Sequence, residues 1–209
     1  MDFAAARKVM VDSQVRVNDV TDRGLQAALL AVPRERFLPA ERAFSAYAEV
    51  EPEIAGGRRL MLARDLSKLL MALSARPGET ALAVAAPYAA AVLAQLGLKV
   101  TAQESDPDVF EVVGAALAEA GVETTVAPLN APSPGGYDVI ICEAAVPGRP
   151  ESWLQALNVG GRLAVVERTG PVGKAVLYVK GEQGVSRREL FNAAPPVLAE
   201  LAPEPVFAL

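Results

Sequence analysis

A chain of 209 residues, 52% apolar and 22% charged, carries enough apolar side chains to build one buried core of ordinary domain size. Its net charge of −5, with no run of like charges, excludes the basic stripe that nucleic-acid recognition needs. The absence of histidine and the single cysteine, Cys142, exclude a Ser–His or Cys–His pair, a disulfide framework and a cysteine zinc site, so any chemistry must use carboxylates, hydroxyls, backbone groups or a bound cofactor.

The chain opens on MDFAAARKVM, which reads as an alanine-rich helix and lacks the apolar run of a secretory signal. No later stretch reaches the roughly 18 uninterrupted apolar residues of a membrane span. A cytoplasmic location is the expectation, with no membrane and no nucleic acid among the partners. A second helix is expected from Thr21 or Asp22, whose oxygens can cap free N–H groups. It carries Leu25, Ala28, Leu29 and Val32 on one side and closes at Pro33. Pro33 and Pro39 punctuate the next stretch, and Gly56-Gly57 marks a turn. Leu66, Leu69, Leu70 and Leu73 form the stripe of a third helix that stops before Pro77-Gly78.

From residue 80 the pattern becomes an alternation of strands and helices. Strands are expected at 80–86, 99–103, 123–127, 137–142 and 162–167, and helices at 89–96, 107–120 and 150–157. A loop fills 128–136, and Gly160-Gly161 reads as a turn. Short connections between alternating elements imply parallel βαβ units and a sheet covered on both faces. At the end, 174–180 and 185–190 alternate like strands around the turn signal Gly181-Glu182-Gln183-Gly184, an antiparallel pair. The expected organisation is one α/β domain over 1–209: a helical part at 1–78, then a doubly wound, mostly parallel seven-stranded sheet at 79–209.

In such a sheet, ligands bind outside the carboxyl ends of the strands where strand order reverses. Three segments converge there: 85–88 (Ala-Ala-Pro-Tyr), 104–106 (Glu-Ser-Asp) and 143–145 (Glu-Ala-Ala). Glu104, at the end of the second strand, has the place of a carboxylate that accepts hydrogen bonds from ribose hydroxyls; the alternative is an exposed surface carboxylate. Cys142 lies in an apolar run and reads as buried packing. Arg58 and Arg59 read as a solvated loop, the alternative being positive charge presented at a substrate cleft. The C-terminal segment 191–209, apolar and proline-rich, is expected to pack across the sheet's own edge. The alternative is a face for a homodimer or for a protein or peptide partner.

Several stretches together resemble the protein-L-isoaspartate O-methyltransferase family. They are MVDSQVR at 10–16, Asp22 to Leu25, AVPRERFLP at 31–39, AYAE at 46–49, YAAAVLAQLG at 88–97, YDVIICEAA at 137–145 and PESWLQALNVGGRLAVV at 150–166. The resemblance spans nearly the whole chain. It implies the Rossmann-like fold of S-adenosylmethionine-dependent methyltransferases with an N-terminal helical extension. The activity it implies is methyl transfer to the free carboxylate of isoaspartyl residues in damaged proteins. It also implies cofactor contacts from the backbone of Ala85, Ala86 and Tyr88, from Glu104 and from Asn130; no residue is assigned to catalysis or to a metal.

The departures from the family pattern fall on the site. The glycine-rich G-T-G-S-G-Y loop of the family is VAAPY here, at 84–88, without a glycine. Each Ala adds a Cβ, and Pro87 removes a donor and fixes φ. At 57–63, GRRLMLA places Met61 where the family carries a serine beside the methyl acceptor, and a thioether cannot donate to a carboxylate. At 127–132, APLNAP replaces a G-D-G-like turn and leaves Asn130 as the polar contact. The expectation is therefore a family member with impaired or lost methyl transfer and a binding or regulatory role, S-adenosylmethionine being its cofactor only if it is active. The alternative is an active isoaspartyl methyltransferase with an unusual cofactor loop.

Overall fold

The computed structural model describes residues 1–202. Helix α1 (Phe3–Met10) starts at Asp2, whose side chain accepts from the Ala5 N–H at 3.0 Å. Helix α2 (Arg23–Ala31) starts in the same way, with Asp22 accepting from Leu25 at 2.9 Å. Helix α3 (Ala63–Leu73) turns Leu66, Leu69, Leu70 and Leu73 inward. Between α2 and α3 the chain forms short tight helical turns and a small hairpin, β1 (Glu53–Ala55) and β2 (Arg58–Arg59), where the sequence pattern marks only a turn.

The hairpin turn presses against the sheet. A Cβ on Gly56 would meet Asp106 Oδ2 at 2.0 Å, and Gly56 holds φ +54°. Asp106 also accepts from the Asp108 N–H at 3.0 Å and so caps the helix that follows. Gly56→Ala is therefore expected to lower stability by roughly 1–2 kcal/mol, through left-handed strain and a displaced cap. Thermal unfolding should register a fall of several degrees.

The sheet has the order β5-β4-β3-β6-β7-β8-β9. Its strands are β3 (Thr80–Val84), β4 (Lys99–Glu104), β5 (Glu123–Val126), β6 (Tyr137–Val146), β7 (Leu157–Glu167), β8 (Gly173–Gly181) and β9 (Gly184–Ala193). The first five run parallel, and β8 is antiparallel to both neighbours. Helices α4 (Pro87–Gln95), α5 (Pro107–Glu119) and α6 (Glu151–Ala156) connect them. Strand order reverses between β3 and β6, which defines the ligand crevice of a doubly wound sheet.

Alternation along the strands builds two cores. Ala81, Ala83, Ala102, Ala164 and Ala175 face the side that carries the N-terminal helices, α3, α4 and α5. Small side chains there let the helices approach closely. Leu82, Val84, Ile140, Leu163, Val165 and Tyr178 face the other side, which is closed by α6, Leu129 and Leu198. Alanine thus recurs on the sheet face that the helices cover, and larger side chains fill most of the opposite face.

Three expectations need correction. Strand β6 runs to Val146 instead of ending at Cys142, because Glu143 is buried with partners and does not end the pairing; Ala145 pairs onward with Val166. Gly160-Gly161 is not a turn: it lies inside β7, which starts at Leu157, and Gly160 holds φ +84° where the β6–β7 register shifts. Among the described residues of the C-terminal segment, 194–202 do not pack along the sheet edge. Residues 191–193 finish β9, and the chain then crosses the carboxyl end of β6, where Ala145 bridges to Val197. The rest of that segment, 203–209, lies outside the described residues. Cys142 is buried as expected, and burial pushes its thiol up to about 12. Among the described residues no helix is long and apolar enough to cross a membrane.

Candidate functional site

The crevice at the carboxyl ends of β3, β4 and β6 is where the candidate residues meet. The loop after β3 retains the backbone turn of a glycine loop without its glycines. Ala85 holds φ +49°, a region where a Cβ costs roughly 1–2 kcal/mol. Its N–H donates to the Gln103 carbonyl at 2.9 Å, and Ala85 and Ala86 are both enclosed. Pro87 begins α4, and the Tyr88 ring is buried beneath the Arg34 guanidinium at 4.8 Å. Burial without a hydrogen-bond partner pushes the Tyr88 phenol far up.

Glu104 ends β4 and is 1% exposed, so it is not a surface carboxylate. Arg58, 6% exposed, reaches it from β2: its Nε donates to both carboxylate oxygens at 3.0 and 3.1 Å, and its Nη2 lies 2.9 Å from Oε2. Burial lifts the Glu104 carboxyl to about 7, and Arg58 pulls against that lift. The pair spans 46 positions in sequence, and Arg58 is not part of a solvated loop. Arg59 does stay at the surface and donates to the Glu51 carbonyl at 3.0 Å.

Arg58 Nη2 also donates to Glu200 at 2.9 Å, and the Ser105 hydroxyl donates to the same Glu200 oxygen at 2.7 Å. Glu200 arrives on the C-terminal strap. The Ala145 N–H donates to the Pro196 carbonyl, and the Leu198 N–H to the Ala145 carbonyl, both at 2.9 Å. Under the strap remains a cavity of 130 Å³, lined among others by Arg58, Met61, Glu143, Val197 and Glu200.

A second buried carboxylate stands at the start of α4. Glu143, 2% exposed, accepts from the Ala89 N–H, which places an anion on the positive end of that helix. Burial raises its carboxyl to about 7; Arg34 and the Ala89 and Met61 amides oppose the rise. Arg34 is itself 1% exposed, donating to the carbonyls of Ala46 (2.9 Å) and Met61. Arg34 Nη1, Tyr88 Oη and Glu143 Oε2 find no protein partner among the described residues.

The loop at 127–133 is drawn in by Gln103. Its Nε2 donates to the carbonyls of Pro128 and Ala131 at 2.8 and 2.9 Å, and its Oε1 accepts from the Ser133 N–H at 2.8 Å and hydroxyl at 3.0 Å. Trp153 Nε1 holds the Leu129 carbonyl at 2.7 Å. Asn130 is exposed at the rim of two clefts that flank Leu201. The structure thus buries Ala85, Ala86 and Glu104 at the carboxyl ends of neighbouring strands, packs the Tyr88 ring against Arg34 and Phe37, and leaves Asn130 exposed. The pattern of the sequence gives no sign that Arg34, Gln103, Glu143 and Glu200 complete the site. Their partners lie 25 or more positions away in most cases, and no spacing encodes them.

A doubly wound sheet with this order, a helical lead-in and a loop-lined crevice at the β3/β6 reversal defines the fold class of S-adenosylmethionine-dependent methyltransferases. A crystal structure of a Plasmodium falciparum protein in complex with S-adenosyl-L-homocysteine superposes with a TM-score of 0.79 at 14% identity, covering 96% of this chain and 99% of that one. The sequence model of the protein-L-isoaspartate(D-aspartate) O-methyltransferase family matches residues 6–188, and the chain belongs to that family. Protein-L-isoaspartate O-methyltransferases of Methylorubrum populi and Methylorubrum extorquens are 34% and 32% identical to it, over 91% and 93% of this chain and 92% and 87% of theirs.

Proposed function

We propose that this chain is a protein-L-isoaspartate O-methyltransferase-like protein in which S-adenosylmethionine-dependent methyl transfer is impaired or lost and the crevice serves binding or regulation. The observation that carries this reading is the Arg58–Glu104 pair: both oxygens expected to receive ribose hydroxyls are held by a guanidinium of the same chain. Two further features support it. The helix terminus of α4 is already capped by the Glu143 carboxylate, and Ala85 and Ala86 are buried. The residues present do not fit the cofactor. Met61, buried beside the cavity, offers no hydrogen-bond donor from its side chain to an acceptor carboxylate. A cytoplasmic setting belongs to the same reading, with a protein or peptide partner or a second copy as the occupant of the crevice.

The second reading is an active methyltransferase acting on isoaspartyl residues of damaged proteins. The names of the relatives and the S-adenosyl-L-homocysteine complex favour it. It requires Arg58 to leave Glu104 and the strap to lift before the cofactor enters.

Calorimetric titration of the full chain with S-adenosylmethionine and S-adenosyl-L-homocysteine separates the two. The expected result is no measurable heat up to millimolar ligand and no methyl incorporation into an isoaspartyl peptide. Micromolar binding together with methyl incorporation would establish the second reading.

A further inference from the structure

We propose that the crevice is a peptide-binding groove and that residues 195–202 are its resident ligand, bound in cis. Its partner is then a protein segment of the same pattern: extended, with an apolar anchor and a glutamate two residues later. This rests on the reading above, since the strap and Arg58 together cover the Glu104 carboxylate that the cofactor would need.

The strap makes the three kinds of contact by which grooves read extended peptides. First, its backbone adds to a strand end, with Ala145 donating to Pro196 and accepting from Leu198, both at 2.9 Å. Second, the Leu198 side chain is buried in the core under α6. Third, Glu200 is read by two donors at once, Arg58 Nη2 at 2.9 Å and the Ser105 hydroxyl at 2.7 Å. Upstream, Arg168 Nη1 clamps the carbonyls of Ala194 and Pro195 at 2.8 and 2.7 Å. These contacts read backbone, size and charge, and none depends on the strap belonging to the same chain.

The fit of the strap is also incomplete. A 130 Å³ cavity stays beneath it, and clefts of 420 and 390 Å³ lie on either side of Leu201. The strap therefore leaves open space beside Leu201 at the protein surface.

The test uses the full chain and a fluorescent peptide of residues 195–202, PPVLAELA. The unaltered chain should bind it weakly, because the strap competes. The variant Leu198→Asp/Glu200→Ala, whose own strap is released, should bind it at least roughly tenfold more tightly. A peptide with lysine in place of the glutamate should lose roughly tenfold. A folded variant that binds neither peptide, or binds both alike, overturns the proposal. Should the variant fail to fold, hydrogen exchange on the unaltered chain decides. Excess peptide should speed exchange of the Leu198 amide and leave the Ala145 amide protected; no change at Leu198 under saturating peptide overturns the groove. S-adenosyl-L-homocysteine is titrated in parallel. If it binds and displaces the peptide, the lost-cofactor reading fails and the groove stands.

Discussion

Arg34→Ala is expected to remove about 3–5 kcal/mol of stability, since each of two buried carbonyls left without its donor costs roughly 1–3 kcal/mol. The side chain is 1% exposed and touches three parts of the molecule. Its Nε donates to the Ala46 carbonyl at 2.9 Å, its Nη2 donates to the Met61 carbonyl, and its plane lies over the Tyr88 ring at 4.8 Å. Arg34 is also the main opposing influence on the Glu143 carboxyl after burial itself. Alanine leaves two carbonyls without this donor, a buried carboxylate without its counter-charge, and a void under Tyr88. Thermal unfolding should fall by roughly 10 °C, given about 2–4 °C per kcal/mol for a domain of this size. Arg34→Lys should recover only part of the loss, because an ammonium cannot serve the two carbonyls and the ring in one planar geometry. The double variant Arg34→Met/Glu143→Gln should lie closer to the unaltered chain than Arg34→Ala does, since no net charge is then left buried. A single-variant loss below about 1 kcal/mol would show that neighbouring groups relax to satisfy Glu143 without Arg34.

The scaffold is legible in the sequence because its signals are local. Apolar runs of strand length at 80–86 and 137–142, glycine stops at Gly97 and Gly121, and the Glu182-Gln183 turn each report on neighbours in sequence. Errors arose where a local sign had a non-local cause. Glu143 looks like the end of a strand by polarity, yet a helix terminus 54 positions away accounts for it. Gly160-Gly161 looks like a turn by composition, yet it accommodates a register shift against β6. The crevice shows the same division. The absence of glycine at 84–88 is visible in the chain and announces an altered loop. What fills the crevice is not visible, because Arg58 meets Glu104 across 46 positions and Glu200 across 142. Two adjacent arginines after a Gly-Gly turn carry no mark of burial; only the sheet's topology brings one of them onto a strand end.

The same buried carboxyls predict how stability depends on pH. The chain has no histidine, so the usual group that titrates near neutrality is absent. Glu104 and Glu143 are both lifted by burial to about 7, from the ordinary carboxyl value of 4.5. Between those two values the folded state holds protons that the unfolded state has released. Stability is therefore fully present below about 4.5 and is lost as pH rises through about 7, the opposite of the behaviour of carboxylates whose acidity is strengthened by salt bridges. Glu51 is shifted upward by burial and adds in the same direction. Glu79 and Asp138 are shifted downward by Arg162, Thr80 and Asn158, and they titrate below this window. The expected result is a higher Tm at pH 5.5 than at pH 8, by roughly 5 °C for a net linkage on the order of 2 kcal/mol. Calorimetric scans at half-unit steps check it, and a Tm that is flat or rising across that interval would remove the linkage. Glu143→Gln and Glu104→Gln should each flatten the slope. Their separate contributions distinguish the carboxyl that caps α4 from the one that Arg58 covers, and so report which half of the closed crevice carries more of the electrostatic cost of closure.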